Sequence, residues 1–527
     1  MATTYSASMS SSAVNNERKG ETMATAQSNP KADPDARTQP TIGRATADNH
    51  YDLVILGSGS TAFAASITAN ELGKSAVMTE SRTVGGTCVN RGCLPSKNLI
   101  EAAKLLHDAR DPRYPGLEGR ELGLDFRQLI AQKDEVIAGY REKKYLSIFG
   151  DESRVAIEQG HVRFLDAQTV ELQGPDGTRR LTGDQFLVAL GSSPTVPDMD
   201  GIHDVPYLTS DLLTSKEDLE LTELPESLVI VGGGYIAMEL GQMFQRFGSK
   251  VTILQRGERL LASYEPEIGL ALADILREEG LTIQTNARAT RVRRDGEGVV
   301  VTADVQGRQR EFRAAKLLVA TGRRPNTADV GLEAAGVRLD ARGATVVDEY
   351  LRTNVPHIWA AGDVIGTEQD SQMATPVGAR DGGIVAHNAL SGLALRKVDH
   401  RVIPRAIFTD PQIGVVGMTD EEANAAGHNC WCNTVPMALV PRAGAIRDTR
   451  GVIKMVADAD TNEVLGVSML GVQAGEVIHE AAMAMRFHAK IDDFIDLLHV
   501  YPTMAEALKI VAISRYKDPS KLSCCAE

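Results

Sequence analysis

Two cysteines in the segment VGGTCVNRGCLPSK have the spacing and surroundings of a reactive thiol pair. Cys88 and Cys93 are five residues apart, among glycines and shortly before Lys97. One continuous helix would separate their Cα atoms by about 7.5 Å along its axis, whereas a disulfide needs about 4.4–6.8 Å. A disulfide therefore requires an irregular first turn, and Gly92 and Pro95 favour one. Because a helix N-terminus lowers thiol pKa values, we expect thiolate chemistry here.

Two further close pairs of cysteines occur in the chain. Cys524 and Cys525 lie almost at the C-terminus, and Cys430 and Cys432 flank Trp431. Six cysteines in 527 residues are too few for a disulfide scaffold, and close pairs in a reducing compartment indicate redox or metal chemistry. Alone, the terminal pair could be a strained disulfide, a redox relay or a metal clip. We interpret the pair around Trp431 as structural or incidental.

The elements that would position the first cysteine pair begin with a glycine-rich turn. An apolar strand, a turn from Gly57 to Ala62 and an alanine-rich helix follow one another, as in a dinucleotide-binding unit. Gly57 permits the tight turn, Gly59 lets the backbone approach a pyrophosphate, and Ala62 allows close helix–strand packing. Glu80 ends the next strand, where a carboxylate accepts hydrogen bonds from ribose hydroxyls. We predict one dinucleotide site here.

The same strand–turn–helix pattern recurs later in the chain, with its small residues at Gly232, Gly234 and Ala237. At the offset that gives Glu80 in the first unit, the second has Gln255, followed by Arg256 and Arg259. A missing carboxylate with arginines nearby favours the 2′-phosphate of NADPH over the ribose of NADH. Two dinucleotide sites indicate electron transfer between cofactors, with FAD in the first and NADPH in the second.

Composition limits the other possibilities. The length of 527 residues suggests about three or four domains. The net charge of −14, without a long basic run, argues against nucleic acid or an anionic membrane surface as a partner. No apolar stretch is long enough to span a bilayer. Residues 1–49 are polar and are predicted to form a disordered tail; they lack targeting features, so we expect a cytoplasmic protein.

The segment GGTCVNRGCLPSK resembles the redox-active disulfide motif of the pyridine nucleotide–disulfide oxidoreductases, and the similarity covers roughly residues 50–527. Other motifs of that family follow in order, at residues 186–194, 317–326, 358–364 and 373–383. The resemblance implies an α/β fold with two Rossmann-like dinucleotide-binding domains and a C-terminal α+β dimerisation domain, in a homodimer. The implied boundaries are 1–49 for the tail, 50–198 with 327–399 for FAD, 199–326 for NADPH and 400–527 for dimerisation.

The resemblance also implies roles for individual residues. Cys93 would be the thiol beside the flavin that forms a charge-transfer thiolate, and Cys88 the interchange thiol that meets substrate. Lys97 and Glu239 resemble an ion pair near the flavin, and Tyr235 resembles a lid over it. The implied cofactor residues are Gly57, Gly59, Ala62, Glu80, Thr87, Lys97, Asp363 and Thr375 for FAD, and Gly232, Gly234, Tyr235, Ala237, Glu239, Arg256 and Arg259 for NADPH.

The position of the family's proton-transferring histidine points to the substrate. Disulfide-reducing members carry His-Pro-Thr near the C-terminus, where this chain reads HVYPTMAEALK and has Tyr501. Tyrosine, with a pKa of about 10, is a poor proton shuttle at neutral pH. His499 lacks the following Pro-Thr, while Glu506 remains where the partner carboxylate is expected. The reaction should therefore not need that base.

Reduction of a thiolate-bound soft metal ion meets this condition. Tyr501, the terminal pair Cys524–Cys525, and Tyr145 together resemble the mercuric reductases of the family, here as a short form without an N-terminal metal-binding domain. The resemblance implies reduction of Hg(II), supplied as thiol complexes, to Hg(0) by NADPH through FAD. The implied catalytic residues include Tyr145, Tyr501 and Glu506, and the implied metal ligands are Cys88, Cys93, Cys524 and Cys525.

Three other interpretations remain open at this point. A large-type thioredoxin reductase could use a terminal Cys-Cys as a relay, although that relay should need the missing histidine. A dihydrolipoyl dehydrogenase would prefer NAD and carry histidine at position 501. A thiol-rich metal buffer without catalysis would bind Hg(II) without consuming NADPH.

Overall fold

The structure is a computed structural model that describes residues 49–150, 153–215, 220–367 and 371–523. The predicted metal ligands Cys524 and Cys525 lie outside these ranges, as do residues 1–48 of the predicted N-terminal tail. The strands and helices are numbered in chain order, and their bounds follow.

The strands are β1 (His50–Leu56), β2 (Ala76–Glu80), β3 (Val155–Gln159), β4 (His161–Asp166), β5 (Thr169–Gly174), β6 (Gly177–Val188), β7 (Ser192–Pro194), β8 (Tyr207–Leu208), β9 (Ser227–Val231), β10 (Lys250–Leu254), β11 (Thr282–Gln284), β12 (Ala287–Asp295), β13 (Gly298–Val305), β14 (Arg308–Ala314), β15 (Lys316–Val319), β16 (Arg323–Pro325), β17 (Ile358–Ala360), β18 (Arg405–Ile407), β19 (Gln412–Gly417), β20 (Cys430–Pro436), β21 (Val452–Asp458) and β22 (Val464–Gly471). The α-helices are α1 (Ser60–Glu71), α2 (Gly86–Arg91), α3 (Cys93–Arg110), α4 (Phe126–Arg141), α5 (Tyr235–Phe247), α6 (Pro266–Glu278), α7 (Thr375–Leu390), α8 (Asp420–Ala425), α9 (Pro441–Ala445), α10 (Ala474–Arg486), α11 (Ile491–Asp496) and α12 (Glu506–Ile513).

The first sheet contains the first predicted nucleotide-binding unit. Strands β3, β2, β1, β6 and β17 are parallel neighbours, and β4 and β5 continue the sheet from β6 as antiparallel strands. The β1 residues 53–56 are fully buried, as expected for a parallel strand whose two faces are covered. The turn between β1 and α1 therefore lies at the carboxyl edge of a parallel sheet, where α/β folds bind nucleotides.

The second sheet repeats this arrangement. Strands β11, β10, β9, β15 and β8 are all parallel, and the separate antiparallel strands β12, β13 and β14 pack beside them. Helix α5 follows β9 through the second glycine-rich turn. The carboxyl edge of this sheet is consequently the second predicted nucleotide site.

The third sheet is antiparallel, in the order β18–β19–β22–β21–β20. Helices α10 and α12 bury their apolar sides against it. One mainly parallel and one fully parallel α/β sheet, followed by a C-terminal antiparallel sheet with helices, confirm the predicted fold class. Among the described residues, none of the helices combines the length and apolar composition needed to cross a bilayer.

Candidate active site

The two glycine-rich turns have the same backbone geometry. Gly57 has a φ of +114°, and a Cβ built there would lie 2.3 Å from the carbonyl oxygen of Ala189. Gly232 has a φ of +125°, and its Cβ would lie 2.2 Å from the carbonyl oxygen of Ala320. A side chain is thus disfavoured at each turn for two reasons: the positive φ and the nearby carbonyl oxygen. Both predicted sites need glycine for the same physical reason.

One cavity of about 360 Å³ joins the first glycine-rich turn to the cysteine segment, within the size range of small-molecule sites. The predicted residues that line it are Gly57, Gly59, Glu80, Thr87, Cys88, Asp363 and Thr375. Ala62 does not line the cavity and is fully buried in α1. Residues separated by more than 300 positions in the sequence therefore meet in one cavity.

The carboxylate of Glu80 lies at the end of β2 with two hydrogen-bond donors already in place. Its Oε2 accepts from Ser58 Oγ at 2.5 Å and its Oε1 accepts from the Arg82 amide nitrogen at 2.7 Å. Burial raises the pKa of Glu80, and these two hydrogen bonds oppose that shift. The sequence interpretation missed Ser58, although its place inside the glycine-rich turn was a usable signal.

A second set of polar contacts fixes Asp363, at the start of a 3₁₀ turn after β17. Asp363 Oδ2 accepts from Ser192 Oγ at 2.6 Å, and Arg323 Nε donates to the same Ser192 oxygen at 2.8 Å. Ser192 and Arg323 belong to the two short strands β7 and β16, which pair with each other. Their roles could not be inferred from spacing because they come from different parts of the chain.

FAD fits this cavity on three observations. Helix α1 begins after Gly59 without a side-chain cap, so its first amide groups can bind a phosphate. A Cβ at Gly59 would meet nothing within 4 Å, which leaves open space where a pyrophosphate approaches the turn. The buried carboxylate of Glu80 supplies the acceptor that ribose hydroxyls require. Helix α5 likewise begins after Gly234 without a side-chain cap.

The predicted irregular turn between the cysteines is confirmed. Helix α2 contains Cys88, ends before Gly92, and α3 begins at Cys93. A Cβ at Gly92 would lie 3.1 Å from the Thr87 carbonyl oxygen and 3.4 Å from the Cα of Cys88. The absence of a side chain lets the two helix ends approach closely. Both cysteines are free thiols in the structure.

The two thiols differ in acidity. A hydrogen bond from Cys88 and the positive charge of Lys97 lower the pKa of Cys93 to about 6, against the opposing effect of burial. The same hydrogen bond, together with burial, raises the pKa of Cys88. Thr375 Oγ1, at the start of α7, lies 3.8 Å from Cys93 Sγ. These opposite shifts make Cys93 the more acidic thiol of the pair.

Lys97 on α3 and Glu239 on α5 form an ion pair that joins these two helices. Lys97 Nζ lies 2.7 Å from Glu239 Oε2, and Glu239 Oε1 accepts from the amide nitrogen of Phe408 at 2.9 Å. Lys97 Nζ also lies 4.7 Å from the centroid of the Phe408 ring. The charge of Glu239 opposes the effect of Lys97 on the pKa of Cys93. The pair's predicted contact with the flavin stays a prediction.

Tyr145 lies beside the thiol pair, in a π-helical turn (Glu142–Leu146) that continues α4. Its ring packs edge-on against Phe63, with 4.8 Å between ring centroids and 88° between planes. Burial raises the pKa of Tyr145, and negative charge on Cys88 raises it further. The hydroxyl therefore remains protonated at neutral pH, close enough to the thiols to sense their charge.

Tyr501 and Glu506 do not line the cavity in the described part of this chain. Tyr501 is 48 % exposed, and Glu506 Oε2 accepts from the Thr503 amide nitrogen at 3.0 Å. His499 Nε2 lies 2.9 Å from Glu480 Oε1, and this contact raises the pKa of His499. Within one chain, these residues are not brought together with the thiol pair.

The second nucleotide site separates its predicted residues. Tyr235 is the first residue of α5, and desolvation raises its pKa to about 12. Arg256 is exposed on the loop after β10. Arg259 instead donates to the carbonyl oxygens of Tyr264 and Ala262, at 2.7 and 2.8 Å. Arg259 thus organises the loop, while the Arg256 side chain extends into solvent.

Among the described residues, no group of three or more His, Cys, Asp or Glu side chains is arranged to hold a metal ion. Within this described part of the chain, the sulfur ligands at the cavity would be Cys88 and its neighbour Cys93. Two-coordinate binding by sulfur suits soft ions, which prefer thiolate ligands.

Comparison with known proteins agrees with this arrangement. Residues 51–383 match the family described as pyridine nucleotide-disulphide oxidoreductase, and residues 403–512 match its dimerisation domain. The chain is 42% identical over 479 residues to the mercuric reductase of Staphylococcus aureus, covering 91% of this chain and 85% of that protein. It is 43% identical over 482 residues to the mercuric reductase of Streptomyces lividans, covering 91% of this chain and 99% of that one.

Solved structures show the same fold. The HOCl-induced flavoprotein disulfide reductase RclA of Escherichia coli superposes with a TM-score of 0.77 at 32% sequence identity. The match covers 89% of this chain and 100% of that one, and a Cu(II) complex of the same reductase matches equally well.

Proposed function

The chain belongs to the pyridine nucleotide–disulphide oxidoreductase family, and we propose that it uses NADPH to reduce Hg(II) to Hg(0). It is an oxidoreductase that depends on FAD and NADPH. The observation that carries the proposal is the thiol pair: Cys88 lines the FAD cavity, Cys93 follows it at the start of α3, and Tyr145 lies beside them. Similarity to mercuric reductases supports the same substrate.

The chain's own residues would hold the cofactors as follows. The turn at Gly57 and Gly59 with the start of α1 would bind the FAD pyrophosphate, Glu80 the ribose, and Asp363 the ribityl chain. The turn at Gly232 would bind the pyrophosphate of NADPH. When bound, FAD accepts a hydride equivalent from NADPH and makes two electrons available to sulfur or to a sulfur-bound metal.

Cys88 and Cys93 would bind the metal in sequence. Cys88, which lines the cavity, would meet the thiol-bound Hg(II) first as the interchange thiol and release its proton to the departing thiolate. Cys93, whose pKa is lowered by the hydrogen bond from Cys88 and by Lys97, would then displace the second carrier thiolate. The overall balance is NADPH, H⁺ and Hg(SR)₂ giving NADP⁺, Hg(0) and two RSH.

Tyr145 would act as a positioning residue in this sequence. Its ring is fixed against Phe63, and its raised pKa keeps the hydroxyl protonated. A neutral hydroxyl beside two sulfur ligands can donate a hydrogen bond to a departing thiolate without competing as an anion for the metal. It therefore favours release of the carrier thiol over loss of the metal.

We further propose a homodimer in which the partner subunit's Tyr501 completes the site. The segment before Tyr501 exposes Leu498 at 82 % and Val500 at 79 %. Met483 in helix α10 and Phe487 just after it are 62 % and 76 % exposed. Exposed apolar clusters of this kind mark protein–protein contacts.

The terminal cysteines extend this proposal to metal delivery. Cys524 and Cys525 follow directly on the described part of the dimerisation domain, and would take Hg(II) from solvent thiols and pass it to the partner's Cys88 and Cys93. The enzyme would act in the cytoplasm, where carrier thiols are abundant.

A second candidate is reduction of a disulfide substrate, as in a large-type thioredoxin reductase. The similarity to a flavoprotein disulfide reductase favours it, and the thiol pair alone would serve either reaction. The tyrosine at position 501 argues against it, since a dithiol product needs protons from a group that titrates near neutral pH.

One assay separates these candidates. Purified enzyme with bound FAD is supplied with NADPH and, in separate reactions, Hg(II) in excess small thiol, oxidised glutathione, lipoamide and thioredoxin. We expect NADPH oxidation with Hg(II), matched mole for mole by volatile Hg(0), and at least tenfold less with each disulfide. NADPH oxidation by thioredoxin without formation of Hg(0) would reverse the assignment.

The delivery role of the tail needs a separate measurement. The variant Cys524→Ala/Cys525→Ala should lose Hg(II)-dependent turnover in excess thiol while its NADPH-dependent flavin reduction stays normal. The substitution Ser523→Ala, next to the pair, is the matched control. Equal turnover by the double variant and the control would contradict delivery by the tail.

A further inference from the structure

The cysteines Cys430 and Cys432 lie on β20, the edge strand of the third sheet. Alternate residues of a strand face the same side, so both thiols project from one face and Trp431 from the other. The Trp431 ring packs with the helical side of the sheet, 5.5 Å from the guanidinium carbon of Arg515. Both cysteines are free thiols, Cys430 half-buried and Cys432 exposed.

We infer that Cys430 and Cys432 form a second soft-metal site, a two-coordinate clip that holds one Hg(II) ion outside the active site. The strand spacing favours a metal over a disulfide. Residues two apart on a strand are separated by about 6.6 Å, whereas the Cβ atoms of a disulfide lie about 3.8 Å apart. Two metal–sulfur bonds of about 2.3 Å each, placed in line, separate the sulfurs by about 4.6 Å and can bridge the longer gap.

The charges around the pair also favour the metal-bound form. Cys432 Sγ lies 3.9 Å from Asp420 Oδ2, and Asp458 is paired with Cys430 across the ladder to β21. These carboxylates disfavour two free thiolates on the same face. Binding of Hg(II) turns the pair into the neutral complex Cys430–Hg–Cys432, which removes that repulsion.

The nearby positive charge is already neutralised. Lys454 Nζ lies 2.7 Å from both Asp420 Oδ2 and Glu265 Oε2, and 3.0 Å from Glu267 Oε1. His428 is paired with Asp458 at 2.8 Å. One lysine among three carboxylates leaves the face negative overall, so two free thiolates are disfavoured there relative to the neutral metal complex.

Binding at this clip is ligand exchange without electron transfer. Hg(SR)₂ and the two thiols give Cys430–Hg–Cys432 and two RSH, the two cysteine protons moving to the departing thiolates. The inference goes beyond the proposed reaction, because the pair lies on the third sheet and not among the residues that line the FAD cavity.

The test uses the four-cysteine variant, in which the four cysteines other than Cys430 and Cys432 are replaced by serine. The variant Cys88→Ser/Cys93→Ser/Cys524→Ser/Cys525→Ser, full-length with FAD bound, is titrated with HgCl₂ in tenfold excess of a small monothiol. We expect one Hg retained per chain after desalting, with both remaining thiols lost to a thiol-specific reagent. Adding Cys432→Ser to this variant should weaken retention by about 100-fold, since a chelate gains that much from effective concentration.

A geometric control keeps two thiols but places them on opposite faces. Adding Cys432→Ser with Asn433→Cys to the four-cysteine variant leaves Cys430 and a thiol one strand position further along. Hg retention should fall as it does with Cys432→Ser alone. Equal retention by this control, or two Hg per chain in the four-cysteine variant, would overturn the clip.

A second measurement does not depend on the four-cysteine variant folding. Wild-type enzyme and Cys430→Ser/Cys432→Ser are compared for total Hg bound at saturation in the same excess thiol, with flavin absorbance to count folded chains. The double variant should bind one Hg less per chain. Identical stoichiometry rules out the site, whereas failure of Hg(II)-dependent NADPH oxidation would concern only the proposed reaction.

Discussion

The carboxylate of Glu239 contacts Lys97 through one oxygen and the backbone of Phe408 through the other. Helix α3 of the thiol pair, helix α5 of the second nucleotide site and the start of the third sheet are thereby connected at one side chain. Lys97 is also the charge that helps keep Cys93 ionised. The pKa of Cys93 consequently depends on contacts among α3, α5 and the segment that follows β18.

Replacing Lys97 should make Cys93 less acidic. In Lys97→Met the thiolate loses its nearby positive charge, so the pKa of Cys93 rises above its value of about 6. Alkylation of the reduced enzyme at pH 6.5 should slow by about two- to tenfold, and the rate profile should move to higher pH. Lys104→Met, on the same helix, is the matched control and should leave the profile in place. An unshifted Lys97→Met profile would refute the electrostatic role.

Replacing the Tyr145 hydroxyl should affect turnover more than stability. Tyr145→Phe keeps the edge-on contact with Phe63 but removes the donor beside the thiols. We expect Hg(II)-dependent kcat to fall roughly tenfold, equivalent to about 1.4 kcal/mol, with flavin reduction by NADPH unchanged. Tyr140→Phe, an exposed position on α4, should have no effect. Similar kinetics for both variants would exclude a positioning role for Tyr145.

The residue at position 501 should decide between metal and disulfide substrates. Tyr501→His introduces a group that titrates near neutral pH, so reduction of oxidised glutathione should increase by about tenfold or more and peak near pH 7. Hg(II) reduction should decrease. Tyr516→His, also exposed in the third-sheet region, controls for the added histidine. If Tyr501→His gains no disulfide reduction, the substrate argument built on this position fails.

The two arginines of the second site should respond differently. Arg256→Ala should lower kcat/KM for NADPH by about tenfold, the value of one charge-assisted hydrogen bond, with little change for NADH. Arg259→Ala should lower thermal stability, because Arg259 fastens the loop through two carbonyl oxygens. Arg288→Ala, exposed on β12, should change neither. Equal losses with both coenzymes in Arg256→Ala would argue against recognition of the 2′-phosphate.

The first glycine-rich turn should not tolerate a methyl group. Gly57→Ala places Cβ against the Ala189 carbonyl oxygen in a left-handed conformation, so we expect about 2–4 kcal/mol of destabilisation and loss of bound FAD. Gly73→Ala shares the positive φ but has open space, and should cost about 1 kcal/mol with FAD retained. Normal flavin content in Gly57→Ala would contradict close approach at this turn.

The sequence alone was sufficient to predict the local geometry wherever a single segment determines it. The break between Cys88 and Cys93 followed from helix rise, disulfide length and the position of Gly92. Both nucleotide-binding turns followed from glycine spacing after an apolar strand. In each case a few neighbouring residues carry the whole physical argument.

Long-range contacts could not be inferred in this way. Asp363 accepts from Ser192, and Ser192 in turn accepts from Arg323, but no periodicity in the sequence connects these three residues. The phosphate contact of Arg259 stays a prediction. The sequence did not reveal that its guanidinium also donates to the carbonyl oxygens of Tyr264 and Ala262, because those groups come together only when the loop folds. The π-helical turn at Tyr145 contains one residue more than an ordinary α-helical turn. The pattern of apolar and polar side chains in the sequence does not reveal this extra residue.

The helix break at Gly92 bears on how far apart the sulfur atoms of Cys88 and Cys93 can lie. Sulfur atoms joined directly lie about 2 Å apart, whereas those bridged by a metal lie about 4.6 Å apart. A single straight helix would have to deform to adopt both distances. If the pair binds a metal as proposed, the change could be taken up by rotation about Gly92, so that α3 and Lys97 would stay in place while the sulfur–sulfur distance changes.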